Sequence, residues 1–400
     1  MIKIQISKTL QEKIRKGYPW VFHYQVQNET VAGRPGDLGV VYDSDNRFLA
    51  IGLFDPESDI RLRILQLGKP TNIDAAFFNG RLKQALALRE SLAGKDTTAY
   101  RIVNGENDGF PGLILDRYEN TVVLKLYTSS WKPYLKILLP LFRKNLPIDR
   151  CVLRWSRKAG ALAKDSDGWD DGQVLFGTPI AGSVRFLEHG FSFEADVLSG
   201  QKTGFFLDQR NNRKHVLSLS AGKSVLNVFS YTGAFSVYAL AGGCRSILEI
   251  DSNPIALTVS KRNLQLNFSE RVFSSEEFDQ LQGDAFEMLA RLETQNKKFD
   301  LVLLDPPAFA KRKKQIQVAL SAYARLVEAG TKLVSKRGIL FASSCSVHVG
   351  SAEFYEAVFS GIQAAGRSYR ELRRTGHALD HPATFAHGAY LKAIYCRIDS

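Results

Sequence analysis

The stretch KSVLNVFSYTGAFSVYALAGG, residues 223–243, decides the fold class of this chain. Its first eight residues are mostly apolar, as in a strand buried on both faces, and the remainder fits a turn followed by a helix. The same succession of strand and helix continues downstream, with further strands expected at 246–251, 299–310, 338–346 and 389–398. This alternation predicts an α/β domain with a parallel sheet covered on both faces, and the last strand is expected at an antiparallel edge.

The sequence before this domain has a different character. Residues 1–70 contain short apolar runs bounded by Gly, Pro and Asp, which predict a small β-barrel. Residues 71–185 begin with a helical pattern at 75–92 and continue with strands and a polar loop at 164–173. Because 400 residues exceed one ordinary core, we predict three domains, with the α/β domain at residues 186–400.

The composition is that of a soluble globular protein with an excess of positive charge. Lys and Arg number 53 against 41 Asp and Glu, which gives a net charge of +12, and 44% of the residues are hydrophobic. Such a surplus is typical of a protein that binds a polyanion, and the alternative is a basic surface that serves only solubility. No apolar run approaches the roughly 20 residues that a membrane-spanning helix needs.

The four cysteines are scattered along the chain, without a C-x-x-C pair or a histidine at metal-binding spacing. This spacing favours a reducing cytoplasm over a disulfide scaffold, and it predicts no metal site. The first twenty residues contain no apolar signal-peptide core. We therefore expect a cytoplasmic protein that does not associate with membranes.

The first predicted turn of the α/β domain indicates a nucleoside-containing cofactor. It contains one glycine, Gly233, and the chain has neither the dinucleotide motif G-x-G-x-x-G nor a phosphate-binding P-loop. Asp251, 18 residues later, ends the second strand, where an acid can accept hydrogen bonds from ribose hydroxyls. Asp284 follows the next strand region and could face an adenine, while Ser252 is expected to cap a helix that has Pro254 near its first turn. An adenosine ligand without a required pyrophosphate points to S-adenosylmethionine, and the alternative is a tight turn with a helix cap.

Two further segments carry reactive or base-binding side chains to the same edge of the sheet. In DPPAF, the two prolines stiffen a loop that can present Asp305 to the polar edge of a planar base, with Phe309 available for stacking. Four basic residues, 311–314, follow at once and suit nucleic-acid phosphates, although a charged run is often only a solvated face. Cys345 ends another predicted strand in SSCS, where it is either a small core residue or a nucleophile.

These segments together resemble a known family. The motifs occur in the order GQKTGFFLDQRNNR (200–213), NVFSYTGAFSVYA (227–239), QGDAF (282–286), DPPAFAK (305–311) and SSCS (343–346). In this order they resemble the RlmI-like family of ribosomal RNA large-subunit methyltransferases, over nearly the whole chain. GYPWVF (17–22) with GDLGVVYD (36–43) resembles that family's N-terminal RNA-binding PUA domain, and NGENDGFPGLILDRY (104–118) resembles its central α+β domain.

The resemblance implies a class I (Rossmann-like) methyltransferase domain, the cofactor S-adenosylmethionine and the product 5-methylcytosine in 23S ribosomal RNA. It implies that Cys345 adds covalently to carbon 6 of cytosine and that Asp305 assists at nitrogen 3. The cofactor-binding residues expected on this basis are Gln201, Gly204, Phe205, Asp208, Arg210, Asn227, Phe229, Ser230, Tyr231, Thr232, Gly233, Asp251, Ser252, Asp284, Ala285 and Asp305. Those expected to bind RNA are Lys16, Trp20, Phe309, Lys311, Arg312, Lys313 and Lys314.

Three points stay open at this stage. The first is whether a second cysteine assists product release. One group of RNA cytosine methyltransferases has such a cysteine in a D-x-P-C motif, whereas Pro307 and Ala308 occupy that region here. The chain could instead methylate another base such as guanine, with Cys345 in a structural role, or bind RNA without catalysis through a degenerate cofactor pocket. The oligomeric state is also open, with a homodimer among the alternatives.

Overall fold

The computed structural model describes residues 1–156, 159–160, 169–269, 274–310 and 312–399, which form two compact units. The first unit consists of Met1–Gly190, Ala195–Leu207 and Leu379–Phe385. The second unit consists of Phe191–Glu194, Asp208–Ala378 and Ala386–Ser400.

The N-terminal part of the first unit is a six-stranded sheet. Its strands are Ile2–Ile6, Trp20–Phe22, Val26–Glu29, Leu38–Tyr42, Phe48–Phe54 and Ile60–Leu67, with a helix at Lys8–Arg15. Alternating apolar side chains of these strands, among them Ile4, Val41 and Leu62, pack into one core cluster. The short apolar runs of the sequence form strands, as expected, at Leu38–Tyr42, Phe48–Phe54 and Ile60–Leu67, whereas the helix Lys8–Arg15 is an element that the sequence does not predict.

The rest of the first unit is built on a five-stranded sheet. Its strands are Ala99–Asn104, Leu113–Tyr118, Thr121–Leu126, Arg150–Trp155 and Val174–Phe176, and its helices are Ala75–Arg89 and Leu135–Asn145. Phe78, Leu82 and Ala85 on the first helix are buried, as its apolar spacing predicts. Of the loop expected at 164–173, residues 164–168 lie outside the described residues. Strand Val184–Glu188 also belongs to this unit, whereas the next strand, Phe191–Ala195, falls mainly in the second unit.

The second unit contains a seven-stranded sheet, whose strands we number in chain order. They are β1 (Ser224–Val228), β2 (Ser246–Asp251), β3 (Phe278–Gln282), β4 (Phe299–Leu304), β5 (Val334–Ser344), β6 (Tyr369–Thr375) and β7 (Lys392–Ile398). The spatial order is β3-β2-β1-β4-β5-β7-β6, with the first five parallel and β7 antiparallel to both neighbours. The predicted parallel α/β sheet is therefore confirmed.

One detail of that prediction is wrong, because the last strand is not at the edge. β7 inserts between β5 and β6, and β6 forms the edge of the sheet. The side chains of β7 are almost all buried, whereas those of β6 are mostly exposed, as an edge strand allows. The helices of this unit are Arg210–Leu219, Pro254–Asn267, Ala234–Ala241, Ala285–Thr294, Ile316–Lys332 and Ser351–Ala364.

From β1, the next strands in sequence lie on one side of it, and the later strands, beginning with β4, lie on the other side. β1 and β4 are therefore neighbours although β2 and β3 separate them in sequence. In an open α/β sheet, ligands bind outside the carboxyl ends of the strands where the strand order changes direction in this way. The segments that follow β1, β2, β4 and β5 therefore outline the candidate site.

Candidate active site

The turn after β1 has an unusual backbone. Phe229, Tyr231 and Gly233 have φ angles of 61°, 50° and 73°, so three alternate residues are left-handed. Non-glycine residues adopt this conformation rarely, and such strain is concentrated at ligand sites. A Cβ atom at Gly233 would collide with Ser260 Oγ and lie 2.9 Å from Glu249 Oε1, so only glycine fits there.

Two hydroxyls of the same turn are buried without a partner. Ser230 Oγ and Thr232 Oγ1 make no hydrogen bond to any residue that the structure describes, and each residue is only 6% exposed. Buried polar atoms in proteins are nearly always paired. Two unpaired hydroxyls beside a glycine that no side chain can replace fit the polar groups of a bound ligand.

Polar contacts from β2, β3 and helix Pro254–Asn267 support this turn. Glu249 of β2 is fully buried and accepts hydrogen bonds from Ser260 Oγ at 2.8 Å and Gln280 Nε2 at 2.8 Å. Burial raises the pKa of Glu249, and the hydrogen bonds oppose that effect. Asn263 Nδ2 donates to the carbonyl of Thr232 at 2.8 Å, so helix Pro254–Asn267 holds the turn directly.

Asp251, at the end of β2, links the turn to that helix. Its Oδ2 accepts from the Tyr231 amide at 2.8 Å, and its Oδ1 accepts from the Asn253 amide at 2.8 Å. Each carboxylate oxygen has a second lone pair, so Asp251 can also accept from a ligand. The helix cap is Asn253, whose Oδ1 accepts from the Ile255 amide at 3.0 Å. The expected cap, Ser252, is wrong by one residue, because Pro254 is the first helical residue and the residue before it takes the cap position.

The other acid expected near the cofactor, Asp284, is exposed and caps helix Ala285–Thr294. Its Oδ1 accepts from the amides of Phe286 at 2.9 Å and Glu287 at 3.3 Å, so the interaction with the helix uses one oxygen. Asn227 is buried within β1, and its Nδ2 donates to Ser236 Oγ at 2.9 Å. These two contacts are local, and they orient the side chains without showing a cofactor role.

Asp305 follows β4 and lies in a polar cluster. Its Oδ1 accepts from Gln209 Nε2 at 2.8 Å and from the hydroxyl of Ser343, and Asn212 Nδ2 donates to Gln209 Oε1 at 2.6 Å. Burial raises the pKa of Asp305 to about 6; the Ser343 hydrogen bond lowers it, and nearby Asp208 raises it further. The carboxyl can thus carry a proton at a pH where an ordinary aspartate is ionised.

Cys345 lies on the neighbouring strand end, and the serines around it are turned inward. Ser343 donates to Asp305, Ser344 Oγ donates to Tyr323 OH at 2.8 Å, and Ser346 Oγ contacts the same phenol at 2.9 Å. The three serines are at most 1% exposed, whereas Cys345 is only partly buried. The loop therefore leaves Cys345 partly exposed, while hydrogen bonds hold the three serines around it.

The other three cysteines contrast with this one. Cys151, Cys244 and Cys396 are buried, and burial raises the pKa of Cys151 and of Cys396 to about 12. Cys244 and Cys396 are therefore core residues.

The expected RNA-binding residues differ in their surroundings. Lys16, Arg312, Lys313 and Lys314 are exposed, and Lys311 lies outside the described residues. Trp20 is half-buried, and its Nε1 donates to Glu106 Oε1 at 2.8 Å. The ring of Phe309 packs on Tyr323 with centroids 4.8 Å apart, so one of its faces is already used. None of these contacts tests RNA binding.

The remaining expected cofactor residues fall in both units. Gln201, Gly204 and Phe205 belong to the first unit, where Gln201 is exposed and the other two are buried. Asp208 and Arg210 are buried in the second unit, and Asp208 Oδ2 accepts from Tyr390 OH at 2.9 Å. Sequence reasoning missed Gln209 as a partner of Asp305, although it lies inside the motif FFLDQRNNR; the motif alone does not show which side chain reaches Asp305.

Membrane-spanning helices and metal-binding clusters are both absent from the part of the chain that the structure describes. No helix there is both long and apolar enough to cross a membrane. No group of three or more His, Cys, Asp and Glu side chains within the same ranges is placed to hold a metal ion.

Comparisons with known proteins agree with this geometry. A family model described as S-adenosylmethionine-dependent methyltransferase matches residues 168–368, and a PUA-like domain model matches residues 4–67. A ribosomal RNA large subunit methyltransferase of Deinococcus radiodurans is 45% identical, with 100% of this chain and 98% of the relative covered. The ribosomal RNA large subunit methyltransferase I of Serratia proteamaculans is 34% identical, with 99% of each chain covered.

Solved structures show the same fold. A methyltransferase crystallised with SAH aligns with a TM-score of 0.85 at 22% identity, covering 99% of this chain and 100% of that one. A Streptococcus mutans protein described as a SAM-dependent methyltransferase aligns with a TM-score of 0.84 at 21% identity, covering 99% and 100%. The strained turn and its two hydroxyls fit the S-adenosylmethionine that the family model implies. The chain belongs to the S-adenosylmethionine-dependent methyltransferase family that includes the ribosomal RNA large subunit methyltransferases.

Proposed function

We propose that this enzyme methylates carbon 5 of a cytosine in 23S ribosomal RNA, with Cys345 as a covalent nucleophile and Asp305 as the acid at nitrogen 3. The observation that carries the proposal is the SSCS loop, in which three serines are buried and tied inward and Cys345 alone is partly exposed. The names of the relatives support a ribosomal RNA substrate.

The chemistry explains why both residues are needed. Carbon 5 of cytosine is a weak nucleophile, and a thiolate that adds to carbon 6 makes carbon 5 enamine-like; a covalent intermediate thus replaces one difficult step by two easier ones. The bound cofactor supplies an electrophilic methyl group. Asp305, whose pKa burial raises to about 6, can hold the proton that nitrogen 3 takes up as the adduct forms. The carbon 5 proton then passes to solvent water, the thiolate leaves carbon 6, and nitrogen 3 returns its proton to Asp305, which restores the aromatic ring.

The cofactor would be held by the residues around the first turn. Ser230 and Thr232 supply hydroxyls, Gly233 allows close approach, Asp251 accepts from the ribose and Asp284 lies near the adenine. The family resemblance adds Gln201, Gly204 and Phe205 at the methionine end. We assign residues 1–70, 71–185 and 186–400 to RNA-binding, central and methyltransferase domains.

Asp251→Ala is expected to weaken S-adenosylmethionine binding by about 1–3 kcal/mol, because a ribose hydroxyl loses a charged acceptor. Isothermal titration calorimetry measures this loss. Asp279→Ala is the matched control, since Asp279 is an exposed acid of β3 whose Oδ1 accepts from the adjacent amide of Gln280 at 2.8 Å. If both variants bind S-adenosylmethionine with equal affinity, Asp251 does not contact the cofactor and only accepts hydrogen bonds from the amides of Tyr231 and Asn253.

The exposed basic residues after DPPAF are expected to contact RNA phosphates. Neutralising Lys313 and Lys314 with glutamine should reduce the log–log salt slope of RNA binding by about 1.4, since each contact to single-stranded RNA contributes about 0.7. Fluorescence anisotropy across a salt series gives the slope. Lys297→Gln with Lys336→Gln is the control, because both lysines are exposed near the amino ends of β4 and β5. Equal slopes for the two double variants would assign residues 313 and 314 to solubility.

The reaction itself can be tested with 23S ribosomal RNA from a strain that lacks this protein. The purified enzyme and isotope-labelled S-adenosylmethionine should place label in the RNA, and nuclease digestion with mass spectrometry should identify it as 5-methylcytidine. Label in a methylguanosine would overturn the cytosine assignment and favour a guanine methyltransferase with a structural Cys345. No label in any nucleoside would favour a non-catalytic RNA-binding role.

A further inference from the structure

A buried lysine lies behind the loop that carries Cys345. Lys392 of β7 is 2% exposed and pairs in register with Ser344 of β5. Its ammonium donates to the carbonyls of Ser346, of Val349 at 2.6 Å and of Tyr390 at 3.1 Å. Lysine is almost never this deeply buried unless it is paired, and the hydrogen-bond partners here are neutral carbonyls. Burying a charged ammonium group costs desolvation free energy, and this cost suggests that the charge has a function.

Two of the three carbonyls belong to the segment that directly follows Cys345. The lysine therefore fixes the path of the chain after the thiol, as the serine contacts fix it around the thiol. Other titratable groups lie in or beside this loop. Cys345 and His348 belong to the loop itself. Glu353, in the first turn of helix Ser351–Ala364, accepts from the Gly350 amide at 2.9 Å, and Tyr323 comes from helix Ile316–Lys332.

The charges of the lysine and the thiol act on each other. Burial lowers the pKa of Lys392 to about 8, while a thiolate at Cys345 and the carboxylate of Glu353 favour its charged form. Such an interaction is mutual, so an ammonium that the thiolate stabilises also stabilises the thiolate. Tyr323 is buried and hydrogen-bonded to two serines, and burial raises its pKa, so it stays neutral beside the thiol.

We propose that Lys392 is a positioning residue that holds the Cys345 loop by its carbonyls and stabilises the thiolate with its positive charge. The inference rests on the proposed function, because only a nucleophilic Cys345 needs a stabilised thiolate. Lys392 contacts neither substrate nor cofactor in this role. It acts through the thiol, and a structural role alone would require the hydrogen bonds without the charge.

The test measures alkylation of Cys345 by iodoacetamide between pH 6 and 10, with the modified peptide quantified by mass spectrometry. The variants are Lys392→Gln, which keeps two hydrogen-bond donors without the charge, and Lys392→Arg, which keeps the charge. Cys345→Ser gives the background. We expect Lys392→Gln to slow alkylation at pH 7 by about five- to tenfold and to raise the midpoint of the pH–rate profile by about one unit, since reactivity follows the thiolate fraction. Lys392→Arg should stay close to wild type.

An unchanged rate and midpoint in Lys392→Gln would overturn the proposal. If that variant does not fold, the wild type decides, because its midpoint should lie below the about 8.5 of a free thiol, and a midpoint at or above that value would contradict the inference. Alkylation needs neither RNA nor cofactor. A failure of the lysine role therefore appears in this experiment, whereas a failure of the proposed function appears as methylation by an enzyme without Cys345.

Discussion

Cys345→Ala is expected to reduce methylation of 23S ribosomal RNA by about 10³-fold or more, while cofactor affinity and thermal stability stay near wild type. The activity falls because carbon 5 of cytosine loses the adduct that makes it nucleophilic. Stability is preserved because Cys345 is only partly buried, and Ser343, Ser344 and Ser346 hold the loop through their own contacts. Single-turnover assays with labelled cofactor measure the rate of the chemical step.

Cys244→Ala is the matched control for this experiment. Cys244 is 5% exposed and follows helix Ala234–Ala241, so its loss removes a buried thiol without changing the SSCS loop. Full activity in this variant together with a large loss at Cys345 would assign the effect to one thiol. Normal methylation by the Cys345 variant would show that the nucleophile is assigned wrongly.

Asp305→Asn is expected to lower the methylation rate by about 10²- to 10⁴-fold and to stabilise the protein at pH 8. The amide cannot supply a proton to nitrogen 3, and acid–base groups contribute a factor of this size. Its oxygen can still accept from Gln209 and Ser343, so the polar cluster is retained. The variant therefore separates catalysis from folding.

The pH dependence of stability follows from the raised pKa of Asp305. Because burial raises it from 3.8 to about 6, the carboxyl contributes stability in its protonated form below about pH 4, and that contribution is lost as the pH rises through 6. The asparagine does not titrate, so its stability relative to wild type should increase by about 2–3 kcal/mol between pH 4 and pH 8. Urea unfolding at the two pH values measures the difference. A constant difference would mean that Asp305 is ionised as easily as an exposed aspartate.

The parallel sheet could be predicted from sequence because β1, β2 and β4 are mostly apolar runs, whereas β3 (FDQLQ) and β6 (YRELRRT) are largely polar and carry a weaker signal. The order in which the strands lie side by side could not be predicted from sequence. The run at 389–398 predicts a strand, and only the tertiary structure shows that β7 enters between β5 and β6. The helix cap illustrates a finer limit, since Ser252 and Asn253 are both good capping residues and the position of Pro254 decides between them.

The site shows the same division between local pattern and tertiary contact. Gly233 and Cys345 stand out as candidate site residues because each lies in a motif that is contiguous in sequence. The hydrogen bond from Gln209 to Asp305 joins residues 96 positions apart, and that from Lys392 to Ser346 spans 46. In sequence Lys392 is an ordinary strand residue, and its burial depends on carbonyls that only the folded loop brings within reach.

The most direct test of the covalent mechanism uses a 23S-derived RNA in which the target cytosine is replaced by 5-fluorocytosine. The target base must leave its stack so that Cys345 can reach carbon 6, and fluorine at carbon 5 removes the proton whose loss would release the thiol. The wild type should therefore form an RNA–protein adduct that survives denaturation, depends on S-adenosylmethionine and maps to the peptide of Cys345. Methylation of the ordinary RNA without any trapped adduct on the fluorinated RNA would contradict the mechanism.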